Sequence, residues 1–538
     1  MNNYDTMKSL SNQSHFIVGL FLAFSVFTLS YSGGKVLLYP VDGSHWVNMK
    51  VLIEELHSRG HSITVIRPKS SWYITEKSPL YTSITVTDEI NESNDFFEEY
   101  LFKVIEIERG DSSGLSFLKL QADLFSMLSK AHYIMCKIVS VILEDKVLVK
   151  RLQDERYDLV LTDPALAGGV ILAHYLKLPL VLNVRWITAG EGHFAIAPSP
   201  MSYVPLPGSG HTDKMSFTQR VKNVLFQSFT FFQERYVVGP HYDALIDKYL
   251  DYKTDIVSLI QAADIWLMRT DFVFEFPRPT MPNVVYMGGF QCKPSKPLPA
   301  DLEAFAQSSG DHGFIIMSLG TLVKSIPADM ANNIAAAFAS LPQKVIWRHL
   351  GDRPSNVGNN TLIVDWIPQN DLLGHSKIKA FVAHGGTNGV QEAIYHGVPI
   401  LGVPLFFDQF DNLIRIQERG AGKILKLSEF SSSTFGQALR EVLSNSSYRT
   451  NMQRLSSLHR DQPMRPLDSA VFWIEYVMRN KGATHLRSEF YKMPWYSYHS
   501  VDVLLVLFTV VVVLVFSTAA VIRYVCYKTC CKRKIKNE

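Results

Sequence analysis

Cysteine is scarce, with five in 538 residues, and three of those (Cys526, Cys530 and Cys531) crowd the C-terminal end. That excludes a disulfide framework and leaves only a single Cys136 to Cys292 bridge open. No set of His, Cys, Asp or Glu falls at a recognisable metal-ligand spacing, so no metal is expected. A dominant sign of charge is missing too: 53 basic against 50 acidic side chains give a net +3, which argues against a nucleic-acid partner. No G-x-G-x-x-G follows the first strand, which speaks against a nicotinamide dehydrogenase. What is present is 47% hydrophobic and 19% charged residues, the composition of an ordered protein with room for two or three domains.

Long apolar runs stand near the two ends. Lys8 precedes the run Phe16 to Leu29, and small residues Ser30, Ser32 and Gly33 follow it, so residues 1–32 are expected to be a secretory signal peptide cleaved near Ser32. A buried helix or a retained anchor is the alternative. Val503 to Ile522 carries no charge over about 20 residues, enough to cross a bilayer. Trp495, Tyr496 and Tyr498 precede it; Arg523, Lys528, Lys532, Arg533, Lys534 and Lys536 follow. Aromatic belt and basic flank agree on a lumenal body and a cytosolic tail, 523–538. Lys534 and Lys536 resemble a dilysine retrieval signal of endoplasmic-reticulum membrane proteins, a juxtamembrane basic cluster being the other reading. Asn91, Asn359 and Asn445 head sequons permissive for glycosylation.

The first half reads as alternating strand and helix. KVLLY, Lys35 to Tyr39, is a buried strand; a helix from about Trp46 to His57 carries Val47, Val51, Leu52 and Leu56 as its stripe, and Ser62 to Ile66 is the next strand. His45 therefore sits at the carboxyl end of a strand, the edge where open α/β sheets place ligands. Tyr157 to Thr162 is a further strand ending at Asp163-Pro164, so Asp163 lies on that same edge, or else only opens a turn. Helix Leu166 to Tyr175 and strands Leu180 to Val184, Ile265 to Arg269 and Val284 to Met287 continue a mostly parallel sheet. Between Asn91 and Glu144 the text is helical, with Glu98, Glu99, Leu115, Phe117, Leu118 and Leu120 and no motif chemistry. Met215 to Tyr236 is amphipathic and rich in phenylalanine: a core-facing helix, or one lying on a membrane surface.

Residues 288–299, rich in Pro and Gly, form a linker. A second α/β set follows, with strand Phe314 to Leu319, exit Ser318-Gly320-Thr321, helix Asp329 to Ala339 and strand Lys344 to Arg348. Its densest stretch is Trp366 to Gln409. Ala380 to Ala383 ends in His384-Gly385-Gly386-Thr387-Asn388, and a helix then runs to about Tyr395, stopped by Gly397 and Pro399. Two glycines and the free N–H groups of a helix start suit a phosphate. Asn388 and Glu392, four apart, share a helix face, which adds an amide near the phosphate and a carboxylate able to accept hydroxyl protons. Trp366 offers a flat face for a base and Gln369 an amide for its edge; strand Ile400 to Val403 leads to Asp408-Gln409, an acceptor and amide pair suited to a sugar. A core Trp before Pro, and an Asn388 with Gln391 helix cap, are the structural alternatives.

In order and spacing this stretch, with DGSHW at His45 and LTDP at Asp163, resembles the UDP-glycosyltransferases, and among them the membrane-anchored animal UDP-glucuronosyltransferases. The resemblance covers nearly the whole lumenal body. It implies an α/β fold of the GT-B type, two Rossmann-like domains facing a cleft plus a C-terminal transmembrane helix. The parts are a signal peptide (1–32), an acceptor-binding domain (33–287), a linker (288–299), a UDP-sugar-binding domain (300–462), a helical segment and membrane approach (463–502), a transmembrane helix (503–522) and the tail (523–538). It assigns His45 as catalytic base with Asp163 as its partner. Donor binding goes to Ser318 and Arg348, to Trp366 and Gln369 for uracil, to His384, Gly386 and Asn388 for the diphosphate, to Glu392 for the ribose, and to Asp408 and Gln409 for the sugar. A late helix, Ser469 to Asn480 here, crosses back to the first domain in the family.

The implied activity is inverting transfer of glucuronic acid from UDP-glucuronate, a co-substrate, to hydroxyl groups of small lipophilic acceptors, as in detoxification, with no covalently bound cofactor. Use of UDP-glucose, UDP-xylose or UDP-N-acetylglucosamine, and a non-catalytic nucleotide-sugar-binding membrane protein, are the alternatives; the latter is disfavoured because His45 and Asp163 are both kept. The glucuronate carboxylate requires a cation, and Arg269, Arg348 and His375 are not separated by reading. Acceptor identity and homo- or hetero-oligomer formation stay open.

Overall fold

Leu159–Thr162 is buried at every position, a pattern that only a strand covered by helices on both faces permits. The computed structural model describes residues 33–87, 95–110, 114–188 and 190–536; the expected signal peptide and the Asn91 sequon lie outside them. The body of the chain ends at Thr484 and a second unit begins at His485.

The body holds two parallel sheets. The first contains β1 (Lys35–Tyr39), β2 (Ser62–Pro68), β3 (Thr82–Val86), β4 (Leu159–Thr162), β5 (Leu180–Val184), β8 (Ile265–Met268) and β9 (Val284–Tyr286), in the order β3-β2-β1-β4-β5-β8-β9; β6 (Trp186–Ile187) and β7 (Gly190–Glu191) form a small separate hairpin. The second contains β10 (Phe314–Ser318), β11 (Lys344–Arg348), β12 (Thr361–Val364), β13 (Ile378–Ala383), β14 (Ile400–Gly402) and β15 (Gly422–Ile424), ordered β12-β11-β10-β13-β14-β15. In each sheet the order reverses beside the first strand, between β1 and β4 and between β10 and β13, and at such a switch point a crevice opens at the carboxyl ends. Tyr39 pairs with Thr162 there in the first sheet, and Ser318 with Ala383 in the second.

Alternation along the strands builds the core of the second half. Ile315 and Met317 join Val345, Trp347, Ala380, Val382 and Leu401 on one face. Phe314 and Ile316 join Ile346, Phe381, Ala383 and Ile400 on the other. Leu101 and Ile105 also enter the first of these clusters. They belong to helix Asp95–Gly110, which precedes the linker by far in sequence and packs on the second half in space. Residues 291–299 have no regular structure. After the second sheet, helix Pro466–Asn480 returns to the first, touching helix Ser44–Ser58, β8 and β9, with Arg59 on Asp468 and His61 on Glu475.

One expectation is revised, one open question is answered and one span is lengthened. Helix Phe217–Phe232, continued by a π-helical turn Gln233–Val238, is not core-facing: Asn223 is its only buried residue, while Phe217, Leu225, Phe231 and Tyr236 are exposed. Cys136 and Cys292 are both free thiols. The helix expected at 503–522 runs Val501–Lys536, because the basic tail residues are good helix formers and continue it past the apolar stretch. Its Val501–Cys530 part is long and apolar enough to cross a membrane and is unburied throughout; Leu118–Glu144 passes the same test but is partly buried in the body.

Candidate functional site

His45 and Asp163 close the two strands that flank the first switch point. Gly43 turns the chain at φ 72° and helix Ser44–Ser58 starts at once, so the imidazole projects from its first turn. His45 Nδ1 lies 2.7 Å from Asp163 Oδ2, while Asp163 Oδ1 accepts the Ala165 N–H at 3.0 Å. Asp163 is buried and His45 keeps a quarter of its side-chain surface. Among the described residues no side chain or main-chain group bonds Nε2. Burial alone would push the Asp163 carboxyl up; the charge and hydrogen bond of His45 and the Arg269 guanidinium, 3.6 Å away, bring it below the ordinary carboxylate range. In the neutral imidazole an ionised carboxylate on Nδ1 fixes that nitrogen as the donor, which leaves Nε2 with a lone pair.

Asn48 shares the helix face of His45, three residues on, and is buried. Its Nδ2 donates to Oδ1 of Asn388 at 2.9 Å, on the first turn of helix Thr387–His396. The two helix starts therefore meet across the cleft, which puts the imidazole beside the turn read as a phosphate site. That helix begins at Gly386 without a side-chain cap, so the Asn388 with Gln391 cap is not formed. Gln391 is instead buried, its Oε1 accepting from Gly289 N–H and Gln291 Nε2, and its Nε2 donating to Arg269 O. The first-turn N–H groups are thereby left for an anion. Gly385, at φ 96°, has no room for a Cβ, which would stand 2.5 Å from Gln409 O. Gly320 and Gly386 enclose the His384 ring in the same way, a Cβ on either falling within 2.6 Å of Nε2. Burial lowers the His384 imidazole to about 4, so it is neutral at physiological pH, and its Nδ1 has no partner among the described residues.

Ser318 ends β10, and its hydroxyl accepts from Gly320 N–H at 3.4 Å. Arg348 ends β11 and donates from Nη1 to Gly320 O at 2.6 Å; its guanidinium also stands 5.7 Å from the Trp366 ring centroid. Trp366 is 58% exposed, so the core reading fails and a flat aromatic face is free. Gln369 Nε2 donates to Glu392 Oε2 at 2.7 Å, tying the proposed base and ribose groups to each other. Burial, with the charge of Asp371 adding to it and the Gln369 bond opposing, pushes the Glu392 carboxyl up to about 7. Gln409 turns its Oε1 back to the Leu405 and Phe406 N–H groups at 2.8 and 3.2 Å. His375 lies at the opposite edge of the sheet, against Phe314 and 3.4 Å from Glu303. It is thereby removed from the cleft, and Arg269 and Arg348 remain as cations there.

Several residues that the sequence reading passed over complete the site. Asn48, Arg185, Glu275, Asn412 and Arg415 are all buried. Arg185 follows β5 on the ligand edge and pairs with Glu275 at 2.6 Å, and Arg415 approaches Glu275 at 3.1 Å. Arg185 could have been flagged by its strand-end position and Asn412 by its spacing of four from Asp408; no comparable signal marks Glu275, which acts only through a fold-dependent contact.

Two parallel sheets whose switch points carry helix starts bonded to one another, one beside the His-Asp pair and the other beside the glycine turn, define a two-domain glycosyltransferase of the GT-B type. Solved structures agree on the fold: the calicheamicin glycosyltransferase CalG4 superposes at a TM-score of 0.55, 18% identical, over 83% of this chain and 99% of its own. The glycosyltransferase VinC, in complex with dTDP, gives 0.53 at 19%, over 83% and 100%. Residues 34–537 match the family described as UDP-glucoronosyl and UDP-glucosyl transferase, and the chain belongs to that family. Relatives include UDP-glucuronosyltransferase 2A3 of Pongo abelii, 41% identical over 94% of this chain and 95% of its own. UDP-glucuronosyltransferase 2B17 of Mus musculus is 41% identical over 90% and 92%, and UDP-glucuronosyltransferase 1-2 of Rattus norvegicus 39% over 92% of each.

Proposed function

We propose that this chain transfers glucuronic acid from UDP-glucuronate to hydroxyl groups of small lipophilic acceptors, with inversion to the β-glucuronide. The observation that carries the reading is the 2.7 Å contact between His45 Nδ1 and Asp163, facing the signature turn through the Asn48 to Asn388 bond. His45 Nε2 takes the acceptor proton as the oxygen attacks the anomeric carbon, and Asp163 holds the tautomer and stabilises the imidazolium. UDP leaves toward the start of helix Thr387–His396, where the dipole and the N–H groups at Gly386 and Asn388, with His384, take up the charge. Trp366 stacks uracil, Gln369 meets its edge, Arg348 and Ser318 line the pocket, Glu392 accepts from the ribose, and Asp408 with Gln409 binds the sugar. No step in this sequence calls for a metal.

Arg269 is the cation we assign to the glucuronate carboxylate. It lies beside the catalytic pair, buried, with an Nε that has no partner among the described residues. We further propose residence in the endoplasmic-reticulum membrane as a single-pass protein, body lumenal and basic tail cytosolic, supported by the apolar helix and the basic residues after it. Membranes bearing the full chain, offered a phenol with UDP-glucuronate, UDP-glucose, UDP-xylose or UDP-N-acetylglucosamine, decide the donor. Preferential turnover of UDP-glucuronate is expected. Turnover of a neutral sugar donor in its place would reassign the donor, and binding of all four without turnover would leave a binding protein.

A further inference from the structure

Asn412 is fully buried in the first turn of helix Gln409–Glu418 and bonded on both sides of its amide. Its Nδ2 donates to Asp408 Oδ2 at 2.8 Å and to Gly385 O at 2.9 Å, inside the signature turn. Its Oδ1 accepts from Arg185 Nη2 at 2.8 Å and Arg415 Nη1 at 3.0 Å. Arg185 comes from the end of β5 in the first sheet, and its Nε also stands 3.5 Å from Asp408 Oδ2. Thr387 Oγ1 donates to that same oxygen at 3.0 Å. One carboxylate oxygen of Asp408 thus accepts two hydrogen bonds from the second half of the chain and faces the charge of an arginine from the first. No described residue bonds the other, Oδ1, and the side chain keeps 14% of its surface.

A carboxylate held in this way cannot turn about its last torsion without breaking several contacts, so its remaining oxygen is aimed. We infer that Asn412 and Arg185 are positioning residues for the donor sugar: they hold Asp408 by Oδ2, present Oδ1 to a sugar hydroxyl, and make that grip depend on the first half of the chain. The inference rests on the reading that Asp408 meets the sugar. Arg185 is itself anchored by Glu275, which also receives Arg415, so its guanidinium has one settled orientation. UDP carries no hexose for Asp408 to hold and serves as the internal control.

The test uses the full chain in membranes and reads the KM for UDP-glucuronate against the inhibition constant for UDP. Asn412→Asp keeps the size and both arginine partners but puts a second carboxylate oxygen where an N–H faced Asp408, and two such groups cannot both stay ionised and aligned. Arg185→Lys keeps the charge toward Glu275 and cannot fork to Asn412 and Asp408. Each is expected to raise the KM for UDP-glucuronate about tenfold while the UDP constant moves less than about twofold. In an Asp408→Asn background either change is expected to add little, since the group they aim is gone. Equal losses for UDP and UDP-glucuronate, or full additivity with Asp408→Asn, would reduce both residues to scaffolding and overturn the inference. If Asn412→Asp fails to fold, seen as the loss of its cooperative thermal unfolding transition, Arg185→Lys decides alone by the same criterion. An unchanged KM in Asp408→Asn would instead overturn the assignment of Asp408 to the sugar. A raised KM there with normal values in the other two variants would sink the positioning role only.

Discussion

Glu392 and His384 carry opposite answers to the same burial. The carboxyl rises to about 7 and the imidazole falls to about 4, each kept neutral because its charged form is poorly solvated. For Glu392 the folded value lies above the ordinary 4.5, so folding favours the protonated form. Its contribution to stability is full below about pH 4.5 and is lost as pH rises through about 7. Glu392→Gln is accordingly expected to raise the melting temperature of the ligand-free protein at pH 8 by about 2–4 °C, with no gain near pH 4. Donor binding should move the other way, because an ionised carboxylate accepts from a ribose hydroxyl more strongly than the neutral acid: wild-type KM for donor falls as pH rises through about 7 and stays flat and high in Glu392→Gln. A melting gain equal at both pH values would refute the assignment. At this level the sequence was informative where residue type already dictates backbone geometry, as at the Gly385 turn and the helix start behind it. It was silent where a side chain's partner comes from a distant strand: that Gln369 holds Glu392, or that Gln391 pins Gly289, follows from folding and not from neighbours in the chain.

Strands β1, β5 and β11 coincide with their expected spans, because buried parallel strands read as short apolar runs between turn residues. Helix ends were legible within a few residues for the same reason that caps and glycines punctuate them. Helix Asp95–Gly110 was not placeable: its Leu101 and Ile105 look like any apolar stripe, yet they join the core cluster that holds one face of β10 and β11, the helix packing on the Leu427–Glu429 turn. A Ser325 hydroxyl bonded to Glu98 and an ion pair from Arg109 to Asp329 extend the same contact. Leu101→Ala should therefore cost about 2–5 kcal/mol in chemical denaturation. Hydrogen exchange should report the loss in β10 and β11 of the second half, not in β1. Protection lost only in the first sheet would show that this helix does not belong to the second core. Helix Phe217–Phe232 misleads for the converse reason, since amphipathicity states that a face is apolar and not what covers it.

At the level of the whole chain, two sheets of like strand order bring their switch points together through the Asn48 to Asn388 bond, the His45–Asp163 pair on one side and the glycine turn on the other. Topology has its own consequence: protease added outside sealed microsomes is expected to remove only the residues after about Ile522, and loss of the large body would reverse the orientation. In the proposed reaction the chemistry rests on the pair at His45 and Asp163. A positioned base contributes on the order of 10²- to 10⁴-fold to removal of a hydroxyl proton. His45→Ala should lose a factor in that range with a phenol while UDP inhibits as in the wild type, and Asp163→Asn should lose a comparable factor through the tautomer. Residues acting as a unit do not add, and an acceptor already ionised, such as a carboxylic acid, needs no base. The most direct measurement is phenol and carboxylic-acid turnover by His45→Ala, Asp163→Asn and the double variant in the same membranes. A double variant no slower than the worse single one, with carboxylic-acid turnover largely spared, is predicted; wild-type phenol turnover in His45→Ala, or fully additive losses, would contradict it.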